Sequence, residues 1–240
     1  MVGGSAGATD LAGNGLATSV SWSFTTATGS PPPPGGPITR VGIGTVVNTT
    51  ATIVVSIPAP SGIGAGDMLV SCLALNGGNV GSSGVPAGWT SIAAVTGISN
   101  PHVFGYYRVA SASEPASYSW TLTSSVANSG GIARYTGVSA SQPLDGVVNA
   151  SGASATSATL PGLTTSAAND ALVGCLAANS SSSSLLITSP SGMVAAWDLV
   201  GKRQQFADQP LSTAGATGSR TWTLSGAREW AGWLVALRPS

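Results

Sequence analysis

The chain has 240 residues, and eight Lys and Arg balance eight Asp and Glu, so its formal net charge is zero. Without clustered cations it offers no field to nucleic acid or anionic lipid. At 42% hydrophobic and 7% charged residues it also lies far from disordered compositions. No apolar run reaches the ~20 residues that cross a bilayer, so membrane insertion is not expected.

Met1–Ser5 lacks the positive and apolar stretches of a signal peptide. Lys202 is the only lysine, and Ser, Thr, Gly, Ala and Asn dominate the polar positions. That surface chemistry suits proteins working outside cells. The expectation is an extracellular or cell-surface piece of a longer exported protein.

In chain order, residues 1–30 hold one strand signal. Leu16, Thr18, Val20, Trp22 and Phe24 alternate with small polar residues, the period of two that puts one face in a core. Thirty residues cannot supply an opposing sheet. Residues 16–25 are therefore expected to pair with the main body, to pair with another copy of the chain, or to fray. Pro31–Pro34 followed by Gly35, Gly36 and Pro37 make residues 31–37 an extended spacer. The segment GATDLAGNGLATSVSWSFTTA, Gly7 to Ala27, resembles the closing strands of the bacterial Ig-like domains of surface-layer and other secreted proteins. The resemblance implies that residues 1–30 are the remnant of such a domain.

Residues 38–240 carry an internal repeat. GDMLVSCLALN (66–76) matches NDALVGCLAAN (169–179) at seven of eleven positions, offset by 103. Pro86-Ala87-Gly88-Trp89, Phe104, Ser117–Leu122 and Gly130–Tyr135 find counterparts at Pro190–Met193, Phe206, Ser219–Leu224 and Gly232–Leu237. Five blocks in one order at near-constant spacing indicate a duplication with halves of about 38–146 and 147–240. The first half reads as strands at 51–57, 67–75, 90–96, 103–109, 117–123 and 131–135, separated by Gly, Pro, Asn and Ser turns. No capped helix is evident. The expected fold is all-β, a two-sheet jelly-roll or lectin-like sandwich in which both halves share one hydrophobic interior. Trp120-x-Leu122 and Trp222-x-Leu224 are expected to face that core. Cys72 and Cys175 hold equivalent places in apolar strands, and read either as buried thiols or as a disulfide joining the halves.

Reaction chemistry is thin. His102, the sole histidine, is matched by Gln204 in the repeat, and no nucleophile elbow accompanies it. No metal-binding spacing appears, and neither metal nor cofactor is expected. Asp10, Asp67, Glu114, Asp145, Asp170, Asp198, Asp208 and Glu229 are the carboxylates from which a glycosidase pair would have to come. Asp67 and Asp170, each just before a buried strand, are expected to accept turn N–H groups. Tyr106 and Arg108, on one side of a strand, and Trp197, Asp198 and Trp230, which break the symmetry of the repeat, supply aromatic faces and hydrogen-bonding groups suited to a sugar.

The body also resembles the terminal all-β modules of large exported bacterial proteins and of some phage structural proteins, which close on a strand like Trp230–Pro239. The resulting expectation is a non-catalytic binding and adhesion module whose ligand is an extracellular glycan. The alternatives are a jelly-roll glycan-degrading enzyme, or a structural subunit that self-assembles through residues 16–25.

Overall fold

The computed structural model describes residues 36–240, so residues 16–25 and the Ig-like resemblance of Gly7–Ala27 lie outside the described part. Among the described residues there is no helix. The first half supplies β1 (Thr39–Pro58), β2 (Met68–Leu75), β3 (Thr90–Val95), β4 (His102–Val109) and β5 (Ser117–Thr136). The second supplies β6 (Leu144–Leu160), β7 (Thr164–Thr165), β8 (Ala171–Ala178), β9 (Ile187–Thr188), β10 (Val194–Leu199), β11 (Gln204–Pro210), β12 (Gly215–Ala216) and β13 (Arg220–Leu237). The strands expected at 117–123 and 131–135 are one continuous β5. The second sheet's first strand in the chain, β6, begins at Leu144.

One antiparallel sheet runs β1-β5-β2-β4-β3 and the other β10-β11-β8-β13-β6, with β9 added to β13 and β12 pairing β7. Read from β6, the second sheet repeats the order of the first. Each sheet is drawn from one half of the chain, rather than by the alternation of strands that a jelly roll uses. Cys72 lies opposite Gly131 and Gly105, and Cys175 opposite Trp233 and Phe206. This register moves two of the expected matches by one place. Phe206 answers to Gly105 rather than Phe104, and Arg203, opposite Ala178, answers to His102.

Every side chain of β2 and β8 is buried, so both faces of each sheet are covered. Met68, Val70, Cys72 and Ala74 meet Val173, Cys175, Ala177, Phe206 and Trp233 in a central core between the sheets. Leu69, Leu73 and Leu75 point the other way, onto Val55, Ile57, Tyr118, Trp120 and Leu122. These last residues belong to β1 and β5, which double back behind their own sheet. The fold-back is visible within β1, where a Cβ on Gly44 would stand 2.0 Å from the carbonyl oxygen of Pro58. Register shifts between Asn48 and Val54 absorb the bend. β6 and β13 do the same, laying Ala158, Leu160, Trp222 and Leu224 over Leu172 and Leu176, with shifts between Thr223 and Trp230.

The single shared interior expected from the sequence is therefore three cores, one between the sheets and one behind each. Trp120 and Trp222 are buried, as the W-x-L pattern predicts, but each in its own half. Cys72 and Cys175 form a disulfide across the central core, with Cα atoms 6.4 Å apart. They sit on facing central strands of different sheets, not on neighbours within one.

Candidate functional site

The five residues singled out for ligand contact do not converge. Tyr106 packs behind the first sheet against Trp120, ring centroids 6.0 Å apart, and burial pushes its phenol up to about 12. Trp197 stacks on Phe206 at 4.2 Å in the central core. Trp230 lies in the core behind the second sheet. All three are less than a tenth exposed. The Nε of Arg108 donates to Glu114 at 3.0 Å and its Nη1 to the Ala87 carbonyl at 2.8 Å. Asp198 pairs with Arg203 at 2.5 Å, while burial holds its carboxyl above the usual range against that guanidinium. The expected display of aromatic faces is corrected for one reason: with both faces of a sheet covered, alternation along a strand leaves no outer side.

His102 places its ring nitrogens against the carbonyl oxygens of Gly78 and Ile98, which leaves neither nitrogen for a serine hydroxyl. Most of the carboxylates are held by arginine. Asp67 accepts from Arg134 at 2.6 Å and from the Gly64 N–H at 2.7 Å, as a turn aspartate should. Asp208 accepts from Arg40 at 2.6 Å and from the Tyr135 hydroxyl at 2.7 Å. Asp10 lies outside the described residues.

Asp170 departs from this pattern. Leu69 pairs with Arg134, but Leu172 pairs with Ala236, so the guanidinium that holds Asp67 has no counterpart in the second half. Asp170 is 1% exposed, and neither of its carboxylate oxygens meets a hydrogen-bond donor. The expected turn hydrogen bonds exist at Asp67 and not here. Burial first, and the adjacent Asp145 carboxyl second, push Asp170 up to about 7. Asp145 itself accepts from the Ser166 and Ala167 N–H groups at 2.5 and 2.9 Å. Asp170 borders a cavity of about 200 Å³ lined by Ile38, Asn169 and Leu211. Glycosidase carboxyls stand ~5–9.5 Å apart around a sugar or water. Asp145 and Asp170 are adjacent instead, and the Asp145 charge favours the protonated form of Asp170.

At the other end of β8 lies a second asymmetric cluster that the sequence reading missed. Lys202, in the turn between β10 and β11, is 2% exposed. Its Nζ donates to Asn76 Oδ1 at 3.0 Å and to Asn179 Oδ1 at 2.9 Å. Asn76 and Asn179 follow β2 and β8 at equivalent places. Asn179 Nδ2 in turn donates to Glu229 Oε2 at 3.0 Å. Burial pushes the Lys202 ammonium down to about 8, against the opposing pull of Glu229. A cavity of about 230 Å³, lined in part by Thr49, Ser180 and Gly201, opens beside it. The signal was in the repeat: Lys202 and Glu229 stand where the first half has Pro101 and Ala127.

Comparison of the chain with protein-family models, with curated proteins and with solved structures finds no match.

Proposed function

We propose that the chain is a non-catalytic adhesion and assembly module of an exported protein, making its contacts by strand addition at the β1/β10 side of the sandwich. One observation carries this reading. β10 packs across β5, so β1 overhangs the second sheet, and Val41, Ile43 and Val47 are left 44%, 43% and 37% exposed. Beside them the outer edge of β10 has no strand partner among the described residues, and its Val194 is 63% exposed. Natural edge strands are blunted with Lys or Pro, yet Val41–Ile57 contains no charged residue and no proline. A strand added to β10 would gain main-chain hydrogen bonds and cover the apolar stripe. Residues 16–25 have the matching alternation, with Val20, Trp22 and Phe24 on one face. The occupant proposed is that segment of a second copy.

The Cys72–Cys175 disulfide supports work outside the cytosol, where such bonds persist. The like order of the two sheets supports copying of an ancestral half. A glycan partner has less support than the sequence suggested, since the three aromatics offered for stacking are buried. The enzyme reading has less still, because the carboxylate pair found among the described residues, Asp145 and Asp170, is adjacent.

Sedimentation of the full chain over a range of concentrations tests the proposal. Association that is abolished by deleting residues 1–30, and weakened by Ile43→Lys, is the expected result. A chain that stays monomeric throughout and is retained on insoluble polysaccharide would return the module to glycan binding. Sugar released from that polysaccharide would make it an enzyme.

A further inference from the structure

We propose that Lys202 and Asn179 are a self-joining pair: the lysine Nζ condenses with the Asn179 carboxamide, assisted by Glu229, to form an intramolecular amide cross-link with loss of ammonia. The inference is independent of what the module binds.

Three geometric facts support it. The Lys202 side chain is sealed in the protein with Nζ 2.9 Å from Asn179 Oδ1, and one C=O bond of about 1.23 Å separates that oxygen from Cγ, so the nucleophile is within about 4 Å of the carbon it would attack. Glu229 Oε2 lies 3.0 Å from Nδ2, the nitrogen that must leave. Asn76, from the first half, holds Nζ from a second side at 3.0 Å, and its own Oδ1 also accepts from Asn100. The amine is thus oriented by two carboxamide oxygens, and a proton carrier stands at the leaving group.

The energetics point the same way. An ammonium has three donors, and here it meets two neutral oxygens and no carboxylate in direct contact. A buried charge without a paired counter-charge is costly, so the site shifts the lysine toward its neutral, nucleophilic form. The pKa lowered to about 8 is consistent with that environment.

In the reaction the Nζ lone pair attacks Asn179 Cγ and forms the new C–N bond. One Nζ proton passes through Glu229 to Nδ2. The Cγ–Nδ2 bond then breaks, and ammonia leaves by the adjoining cavity. One amine and one primary amide become one secondary amide and ammonia; no oxidant is used and no water is consumed. The link would tie the end of β8 to the β10–β11 turn, close beside the disulfide-bridged strands. The first half has the equivalent asparagine, Asn76, but Pro101 and Ala127 in place of the lysine and glutamate, so the reaction belongs to the second half alone.

Intact mass spectrometry of the folded, purified chain provides the test. The expected mass is one ammonia below that of the oxidised sequence, and proteolysis yields a branched peptide joining Lys202 to Asn179. Glu229→Ala and Asn179→Ala should restore the full mass while far-UV circular dichroism and the Cys72–Cys175 bond are unchanged. Asn76→Ala should still release ammonia. A folded wild-type chain of full mass with a free Lys202 peptide after prolonged incubation overturns the proposal. So does ammonia loss without a branched peptide, which would mark a backbone succinimide, and so does a cross-link that survives Glu229→Ala.

Discussion

The indole of Trp233, on β13, rests on Gly105 of β4: a Cβ at that glycine would stand 2.7 Å from the ring. Trp197 rests in the same way on Gly131 of β5, where the distance would be 2.5 Å. Two tryptophans of the second sheet therefore press into the first at points where only hydrogen fits. These contacts flank the disulfide and set the spacing of the central core.

Gly105→Ala should accordingly overpack that core. Trp233 is also held edge-on by Phe206, with ring centroids 6.0 Å apart, so the ring has little room to retreat. The expected cost is about 1–3 kcal/mol, read from the guanidinium midpoint at unchanged slope. Trp233→Phe in the Gly105→Ala background should recover part of the loss. Equal stability of Gly105→Ala and wild type would show that the two sheets are not pressed together there.

The disulfide closes a segment of 103 residues between facing strands. Replacing Cys72 and Cys175 together by Ala should lower stability by roughly 2–5 kcal/mol. Each half keeps its own core behind its sheet, so the far-UV circular dichroism of the reduced protein should stay that of a β protein. Loss of strand signal on mild reduction would show that the halves are not independently cored.

Acid and base should act on the two halves in opposite directions. Asp170 is raised from 3.8 to about 7 in the fold, so its contribution to stability is complete below 3.8 and is lost as pH rises through about 7. Glu114 runs the other way: burial alone would raise it, but hydrogen bonds from Tyr118, Ser111 and Arg108 hold it near 2. Its contribution is complete above 4.5 and is lost as pH falls through about 2. Asp170→Asn should remove the loss near neutrality, stabilising the protein above pH 7 by roughly 2–4 kcal/mol relative to wild type. Denaturation midpoints of the two proteins measured across that pH window check the sign. A wild-type midpoint that rises from pH 4 to pH 7 would contradict it.

Much of the fold was legible from spacing alone, and the failures have identifiable causes. Trp120 and Trp222 were placed correctly because W-x-L on a strand puts both apolar groups on one face. The fully buried runs at Met68–Leu75 and Ala171–Ala178 marked the central strands. The expected first strand began at 51, whereas β1 begins at Thr39, and Gly42 and Gly44 interrupt the local strand pattern there. Gly44 is there because β1 folds back to within touching distance of Pro58, a tertiary demand with no local signature. The stretch between Thr123 and Gly131, rich in Ser, Asn and Gly, looked like a turn but continues β5. The aromatic candidates failed because alternation cannot report that a second layer covers the other face. Lys202 was visible as a departure from the repeat, but Asp170 was not, since Asp67 is its counterpart; only the strand register shows that the arginine holding Asp67 is replaced by Ala236 in the second half.

The proposed role rests on the edge of β10, unpaired among the described residues, above the exposed stripe of β1, and hydrogen exchange of the full chain probes it most directly. At concentrations spanning association, the β10 amides Val194–Leu199 should gain protection, and Ile43→Lys should reverse the gain. If those amides exchange at the same rate at every concentration, or if protection appears only elsewhere, the account of strand addition at this edge is wrong.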